Sequence, residues 1–242
     1  MAILQVNGLT KRFGGVTAVS DVSFSVEEGR ILALIGPNGA GKTTCFNMIA
    51  GAFAPTEGQV HFKGKDVTNF KSYQLNALGM ARTFQVVKPM AKLSVFENLM
   101  VACLAKSRNI RQARQKAQVV LERTHLENLA EHLAGQLSIG NLKRLEVARA
   151  LATEPDLLLM DEPMGGLTPP EVTQAIELIK SIRDQGVTIV LIEHIMKAVT
   201  AVADDIVVLC NGEIIANGKP DVVLKNHAVI KAYLGEGYVA SH

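Results

Sequence analysis

The segment Gly36-Pro37-Asn38-Gly39-Ala40-Gly41-Lys42-Thr43-Thr44 has the residue types and spacing of a loop that wraps phosphate. It matches G-x-x-x-x-G-K-[ST] at every defined position. Glycines let the backbone curl with its N–H groups inward, a following helix start adds partial positive charge, Lys42 reaches the β and γ phosphates, and Thr43 offers a hydroxyl to Mg²⁺. The apolar run Ile31–Ile35 precedes it and Cys45–Ala50 follows, so strand, glycine-rich turn and helix start are predicted in that order. A plain glycine turn before a helix is the competing reading, and the strand-to-helix placement disfavours it.

Other residues match the chemistry of phosphoryl transfer to water. Leu157-Leu158-Leu159-Met160 leads into Asp161-Glu162-Pro163, a buried strand ending in two carboxylates. Asp161 suits the Mg²⁺ shell, and Glu162 suits the orienting or deprotonation of a water that attacks a γ-phosphate. A further apolar run, Val187–Ile192, ends in Glu193-His194. A histidine at the C-terminal end of a parallel strand is placed to donate to the terminal phosphate. No partner histidine follows at helical spacing, so this pair is not a metal motif. Gln85, closing the predicted strand Met80–Gln85, offers an oxygen to Mg²⁺, although alone it reads as a solvent-facing strand end. Phe13 sits in the first turn region; it reads as an adenine platform or as a turn phenylalanine, and the two stay balanced.

A second anion site is predicted at Leu137-Ser138-Ile139-Gly140-Asn141, just before a helix expected over Leu142–Thr153. A serine hydroxyl and the free N–H groups of a helix start attract phosphate, while a plain Ser N-cap accounts for the same residues. The chain holds a single phosphate loop. A second phosphate-binding helix start is therefore explained most simply by the nucleotide of another subunit.

The elements that must position these groups can be read from periodicity. Leu4–Val6 and Val22–Val26 are predicted strands with turns at Gly14-Gly15 and Glu28-Gly29, forming a small antiparallel sheet, and Gln59–Lys65 reads as a further strand ending in a glycine turn. From Ser94 the pattern becomes helical, with Val95–Ala102 behind the cap Ser94 and a polar helix-rich stretch over 110–134. Lys106, Arg108, Arg111, Arg114, Lys116 and Arg123 outnumber the acids there, as on a solvated helix face or a surface near anionic headgroups. No aromatic residues are interleaved, which argues against single-stranded nucleic acid. A helix around Glu171–Gln185 follows the acidic strand, and Ile206–Cys210, Asn211-Gly212 and Glu213–Ala216 read as a hairpin.

Bulk properties set limits rather than a function. The 242 residues are 48% hydrophobic and 20% charged with a formal charge of +2, an ordinary globular composition without an electrostatic case for nucleic acid. No apolar run reaches the length of a membrane span, and the N-terminus lacks the pattern of a signal peptide. Cys45, Cys103 and Cys210 form neither a disulfide framework nor a metal spacing, so a reducing cytoplasm is expected.

In order and spacing these motifs resemble an ABC-transporter ATPase subunit over nearly the whole chain. Gly36–Thr44 is similar to Walker A, Gln85 to the Q-loop, Leu137–Asn141 to the signature, Leu157–Glu162 to Walker B with its catalytic glutamate, and His194 to the switch histidine. Arg12-Phe13-Gly14-Gly15, Ala81-Arg82-Thr83-Phe84-Gln85, Leu191-Ile192-Glu193-His194 and Ala232-Tyr233-Leu234-Gly235-Glu236 resemble, more closely, the ATP-binding subunit of branched-chain amino-acid importers. The resemblance implies an α/β fold: a RecA-like P-loop NTPase core with an N-terminal antiparallel β-subdomain and an inserted α-helical subdomain. One domain, 1–242, is expected, with 1–88 and 150–242 as core and β-subdomain and 89–149 as the helical part. ATP and Mg²⁺ are the implied cofactors, with Thr43, Gln85 and Asp161 on the metal and Lys42, Glu162 and His194 catalytic. The nucleotide would touch Phe13, Gly36 to Thr44, Gln85, and Ser138, Gly140 and Asn141 of a second subunit.

The implied partners are a second cassette in a homo- or heterodimer, transmembrane permease subunits docking near Lys88-Pro89-Met90, and indirectly a solute-binding protein, at the inner face of the cell membrane. The usual signature is Leu-Ser-Gly-Gly-Gln, so Ile139 and Asn141 depart from it, as does Thr168 where an aspartate is usual. Altered phosphate affinity or partner choice is expected from the first change and altered communication between subunits from the second. Competing readings are a cytosolic ABC ATPase of repair or translation, a cassette for urea, amides, aromatic acids or lipid-type substrates, a small-molecule kinase, and a non-catalytic nucleotide-binding regulator.

Overall fold

Alternation of buried and exposed positions draws the first residues into two long strands, β1 (Ala2–Phe13) and β2 (Val16–Glu27), paired antiparallel around Gly14-Gly15. Both exceed the predicted Leu4–Val6 and Val22–Val26, because register shifts along the pair let the ladder continue past each irregularity. The computed structural model describes residues 1–84 and 87–234. β3 (Ile31–Ile35) follows, then the phosphate loop and α1 (Lys42–Ile49). Next come β4 (Glu57–Phe62), β5 (Lys65–Asp66), α2 (Ser72–Leu78) and β6 (Met80–Arg82). The strand read at Gln59–Lys65 ends at Phe62, and the glycine turn expected after it is made by Lys63 and Gly64 with positive φ. β6 likewise ends at Arg82, and Gln85 lies outside the described residues.

Helices α3 (Val95–Leu104) and α4 (Ile110–Arg123) come next, then α5 (Ile139–Leu151). Ser94 caps α3 through a reciprocal capping box with Glu97, as the sequence indicates. α5 begins three residues before the expected Leu142. The cause is Ser138, whose Oγ accepts the Asn141 N–H at 3.3 Å and so draws Ile139, Gly140 and Asn141 into the first turn. The rest of the chain supplies β7 (Leu157–Asp161), α6 (Pro169–Asp184), β8 (Thr188–Ile192), α7 (Met196–Val202), β9 (Asp205–Cys210), β10 (Glu213–Gly218), α8 (Pro220–Val223) and α9 (His227–Leu234).

The strands form two sheets, ordered β2-β1-β4-β5 and β10-β9-β3-β8-β7-β6. In the larger sheet β6, β7, β8, β3 and β9 run parallel, and β10 closes it antiparallel. All five residues of β3, of β7 and of β8 are buried, as strands covered on both faces must be. Each such aliphatic side chain contributes about 1.5–3 kcal/mol by leaving water, enough to fix the strand ends against loop strain. α3 and α4 build a separate core with the Leu145, Ala148 and Ala152 face of α5, whose Val147, Ala150 and Leu151 face packs on the sheet. This helix therefore belongs to both cores.

Gly212 ties the two sheets together. It sits in the two-residue turn between β9 and β10, where Asn211 (φ 50°) and Gly212 (φ 83°) adopt the left-handed conformations such hairpins require. Its N–H donates to Ala40 O at 3.1 Å, and its carbonyl accepts the Ser20 N–H of β2 at 2.9 Å.

Candidate functional site

The phosphate loop bridges β3 and α1 where the parallel strands end. Gly36 (φ 148°) passes so close to β9 that a Cβ there would meet Leu209 O at 2.0 Å. No other residue type fits at this crossing. Gly41 caps α1 without a side-chain hydrogen bond, leaving the first-turn N–H groups for an anion. Lys42 is buried, its ammonium donating to Gly36 O at 2.7 Å and Pro37 O at 2.9 Å. Burial lowers its pKa, against the opposing fields of Glu162 and Asp161. Thr43 is exposed and lines one groove with Asp161 and Arg82. A hydroxyl and a carboxylate facing one groove are the hard oxygen donors that Mg²⁺ takes, so the described residues fit a Mg²⁺–nucleotide complex.

Asp161 ends β7 and is nearly inaccessible. Burial raises its pKa, and Arg82 opposes that shift. Arg82 is a site residue that sequence reasoning missed beyond its place in a family-like string. Its Nη2 lies 3.2 Å from Asp161 Oδ2 and its Nη1 2.6 Å from Asn47 Oδ1 of α1, with the guanidinium over the rings of Phe46 and Phe84. Strand β6 thus joins the acidic strand to the phosphate-loop helix. The only sequence signal was an arginine inside an otherwise apolar short strand.

Glu162 stands one residue past β7 in a left-handed conformation (φ 48°), which costs a non-glycine residue about 1–2 kcal/mol. Two bonds hold it there: its N–H donates to Ile192 O at 3.0 Å, and Lys143 Nζ of α5 donates to its carbonyl at 2.6 Å. The His194 Nδ1 lies 3.9 Å from Glu162 Oε1 and from Glu193 Oε2. The structure therefore brings the loop, Asp161, Glu162 and His194 to the ends of β3, β7 and β8, three adjacent strands.

Ser138, Gly140 and Asn141 lie elsewhere, lining a cleft between α5 and α6. The Ser138 oxygen is occupied as an acceptor, and its own O–H remains a donor. Gly140 admits Glu171, whose Oε1 would lie 2.4 Å from a Cβ. Thr168, at the position where an aspartate is usual, is the N-cap of α6 in a capping box with Glu171. Phe13 is half exposed and meets Phe53 edge-on at 5.7 Å, with the Lys11 ammonium over both rings. From the far end of the chain, Tyr233 of α9 keeps 38% of its surface exposed; burial of the rest raises its pKa, and the backbone of Gly36 opposes that shift.

The thiol nearest the phosphate loop is inert. Cys45 is fully buried and its pKa is pushed up to about 12 by that burial, and Cys103 is pushed up to about 11 in the same way. Cys210 is partly accessible. N-ethylmaleimide at neutral pH is expected to add a single adduct, at Cys210, by intact mass and peptide mapping. Modification of Cys45 without denaturant would contradict this packing.

Residues 19–165 match the family described as ABC transporter, and residues 213–239 match the family described as branched-chain amino acid ATP-binding cassette transporter. The chain is similar to the high-affinity branched-chain amino acid transport ATP-binding protein BraF of Pseudomonas aeruginosa, 40% identical over 97% of this chain and 98% of that one. A crystal structure of the ADP conformation of an ATP-binding cassette from an ABC transporter superposes with a TM-score of 0.88, at 34% identity, over 98% of this chain and 100% of the other. A dimeric cassette in a post-hydrolysis state with ADP and Pi superposes with a TM-score of 0.80, at 27% identity, over 90% and 98%.

Proposed function

The chain belongs to the ABC transporter ATP-binding family, and from that membership we propose that it is the ATP-hydrolysing subunit of an importer of branched-chain amino acids. The observation that supports hydrolysis most directly is the convergence of the phosphate loop, Asp161, Glu162 and His194 on the ends of β3, β7 and β8. In this reading Lys42 exchanges its loop carbonyls for phosphate oxygens, and the N–H groups of Gly36 to Thr44 surround them. Thr43 and Asp161 hold Mg²⁺, with Gln85 as a further oxygen ligand. Bound there, Mg²⁺ would neutralise charge developing on the phosphates. Glu162 orients and deprotonates the attacking water, and His194 donates to the γ-phosphate. Phe13 stacks on adenine, its ring half exposed at the tip of the β1–β2 hairpin.

Ser138, Gly140 and Asn141 are proposed to close on the nucleotide of a second cassette, because in this chain they line a different cleft from Thr43 and Asp161. Two cassettes would sit under transmembrane permease subunits on the cytoplasmic face of the membrane, fed by a solute-binding protein. Among the described residues no helix is long and apolar enough to cross a membrane, so the pathway falls to other chains. The proposed division of the fold keeps 89–149 as the helical part, with α5 shared between the two cores.

The test is co-purification with permease subunits, reconstitution into vesicles with the matching binding protein, and parallel measurement of phosphate release and labelled leucine, isoleucine and valine uptake. Both activities are expected to depend on ATP and on the permease. Hydrolysis without branched-chain uptake, but with uptake of urea, an amide or an aromatic acid, would replace the solute. Phosphorylated solute in place of free phosphate would replace the reaction.

A further inference from the structure

Glu193 is completely buried beneath the site, and no step of the proposed hydrolysis uses it. A carboxylate out of water demands donors, and three backbone N–H groups supply them here. Oε1 accepts Met164 N–H at 2.9 Å, while Oε2 accepts His194 N–H at 2.9 Å and Ile195 N–H at 3.2 Å. The donors belong to two different loops. Met164 lies two residues beyond Glu162 on the loop after β7, and His194 and Ile195 open the loop after β8.

The two loops meet at other points. The Glu162 N–H to Ile192 O bond extends the β7–β8 pairing by one residue, and Lys143 holds the Glu162 carbonyl from above while feeling the field of Glu193. Because Glu162 is held at positive φ, its side-chain direction depends on how firmly its loop is tethered. His194 is more exposed than Glu162, and its backbone is fixed at the Glu193 carboxylate.

We propose that Glu193 is a positioning residue for ATP hydrolysis, one carboxylate clipping the backbones that carry Glu162 and His194 into a unit so that both side chains meet the terminal phosphate together. The proposal rests on the hydrolysis reading above. Glutamine has the same shape but a single acceptor oxygen, so its NH₂ must face an N–H and one loop is released. Aspartate keeps both oxygens yet is a methylene too short to span the loops.

In the permease complex, Glu193→Gln is expected to lower kcat about ten- to a hundredfold, the scale of a reacting group displaced by about 1 Å, while the KM for ATP stays within about twofold. Combined with His194→Ala its loss is expected to be smaller than in the wild-type background, because only the Glu162 loop is then left to displace. The isolated chain labelled with ¹³C-histidine gives a readout that needs no turnover. The His194 ring resonance, assigned by its loss in His194→Ala, is expected to shift or broaden in Glu193→Gln, while those of His61 and His125 stay in place. An unchanged kcat, a fully multiplicative loss on top of His194→Ala, or an unmoved His194 resonance would each overturn the clip. If Glu193→Gln does not fold, Glu193→Asp carries the same three measurements. A wild-type complex that releases no phosphate counts against the hydrolysis reading alone, since the histidine resonance still decides whether Glu193 fixes His194.

Discussion

Glu162→Gln is expected to leave nucleotide affinity within about twofold of wild type and to cut ATP turnover by about a hundredfold or more, the range for removing a positioned general base. The amide keeps the side-chain volume, and the backbone bonds from Lys143 and to Ile192 do not depend on the carboxylate. Only the capacity to take a proton is lost. In the proposed two-cassette cycle the variant then stalls with ATP bound, so size-exclusion chromatography with ATP and Mg²⁺ should show a dimer that wild type forms only transiently. Steady-state hydrolysis at the wild-type rate would remove Glu162 from its role and leave His194 as the next candidate.

Gly36→Ala should have the largest effect on the folded chain. A methyl there meets the Leu209 carbonyl, and Leu209 cannot retreat because β9 is buried and paired along β3, with Ile35 opposite Val208. A destabilisation of about 3 kcal/mol or more follows, the scale of overpacking without relief, together with loss of ATP binding. Gly39 supplies the control. It also has positive φ, but a Cβ there meets nothing within 4 Å, so Gly39→Ala should cost only about 1–2 kcal/mol of backbone strain. Equal urea midpoints for the two variants would show that the Leu209 contact does not decide the matter.

The candidate residues at strand ends could be read in advance because the strands are marked by almost wholly aliphatic runs. Ile31–Ile35, Leu157–Met160 and Val187–Ile192 locate the phosphate loop, Asp161-Glu162 and His194 once parallel pairing is assumed. Helix starts were harder. Ile139-Gly140 has no helical signature of its own, and Ser138 decides the matter through one hydrogen bond. Thr168 looked like a loss when judged against an expected aspartate. Its local task lies at the start of α6, where its N–H and its hydroxyl both donate to the Glu171 carboxylate.

Arg82, Lys143 and Glu193 were hidden for a different reason. Arg82 finds Asp161 from 79 positions away, Lys143 finds Glu162 from 19 and Glu193 finds Met164 from 29. No periodicity encodes such pairs. They exist only after the sheet order has placed β6, β7 and β8 side by side with α5 across their ends.

The Asn211-Gly212 turn bears on how the chain can change in length. Gly212 is bonded at once to the phosphate loop through Ala40 and to the N-terminal sheet through Ser20. One residue inserted or deleted there would shift both bonds and the β9–β10 register together, leaving buried polar groups without partners. This hairpin is thus a spacer of fixed size.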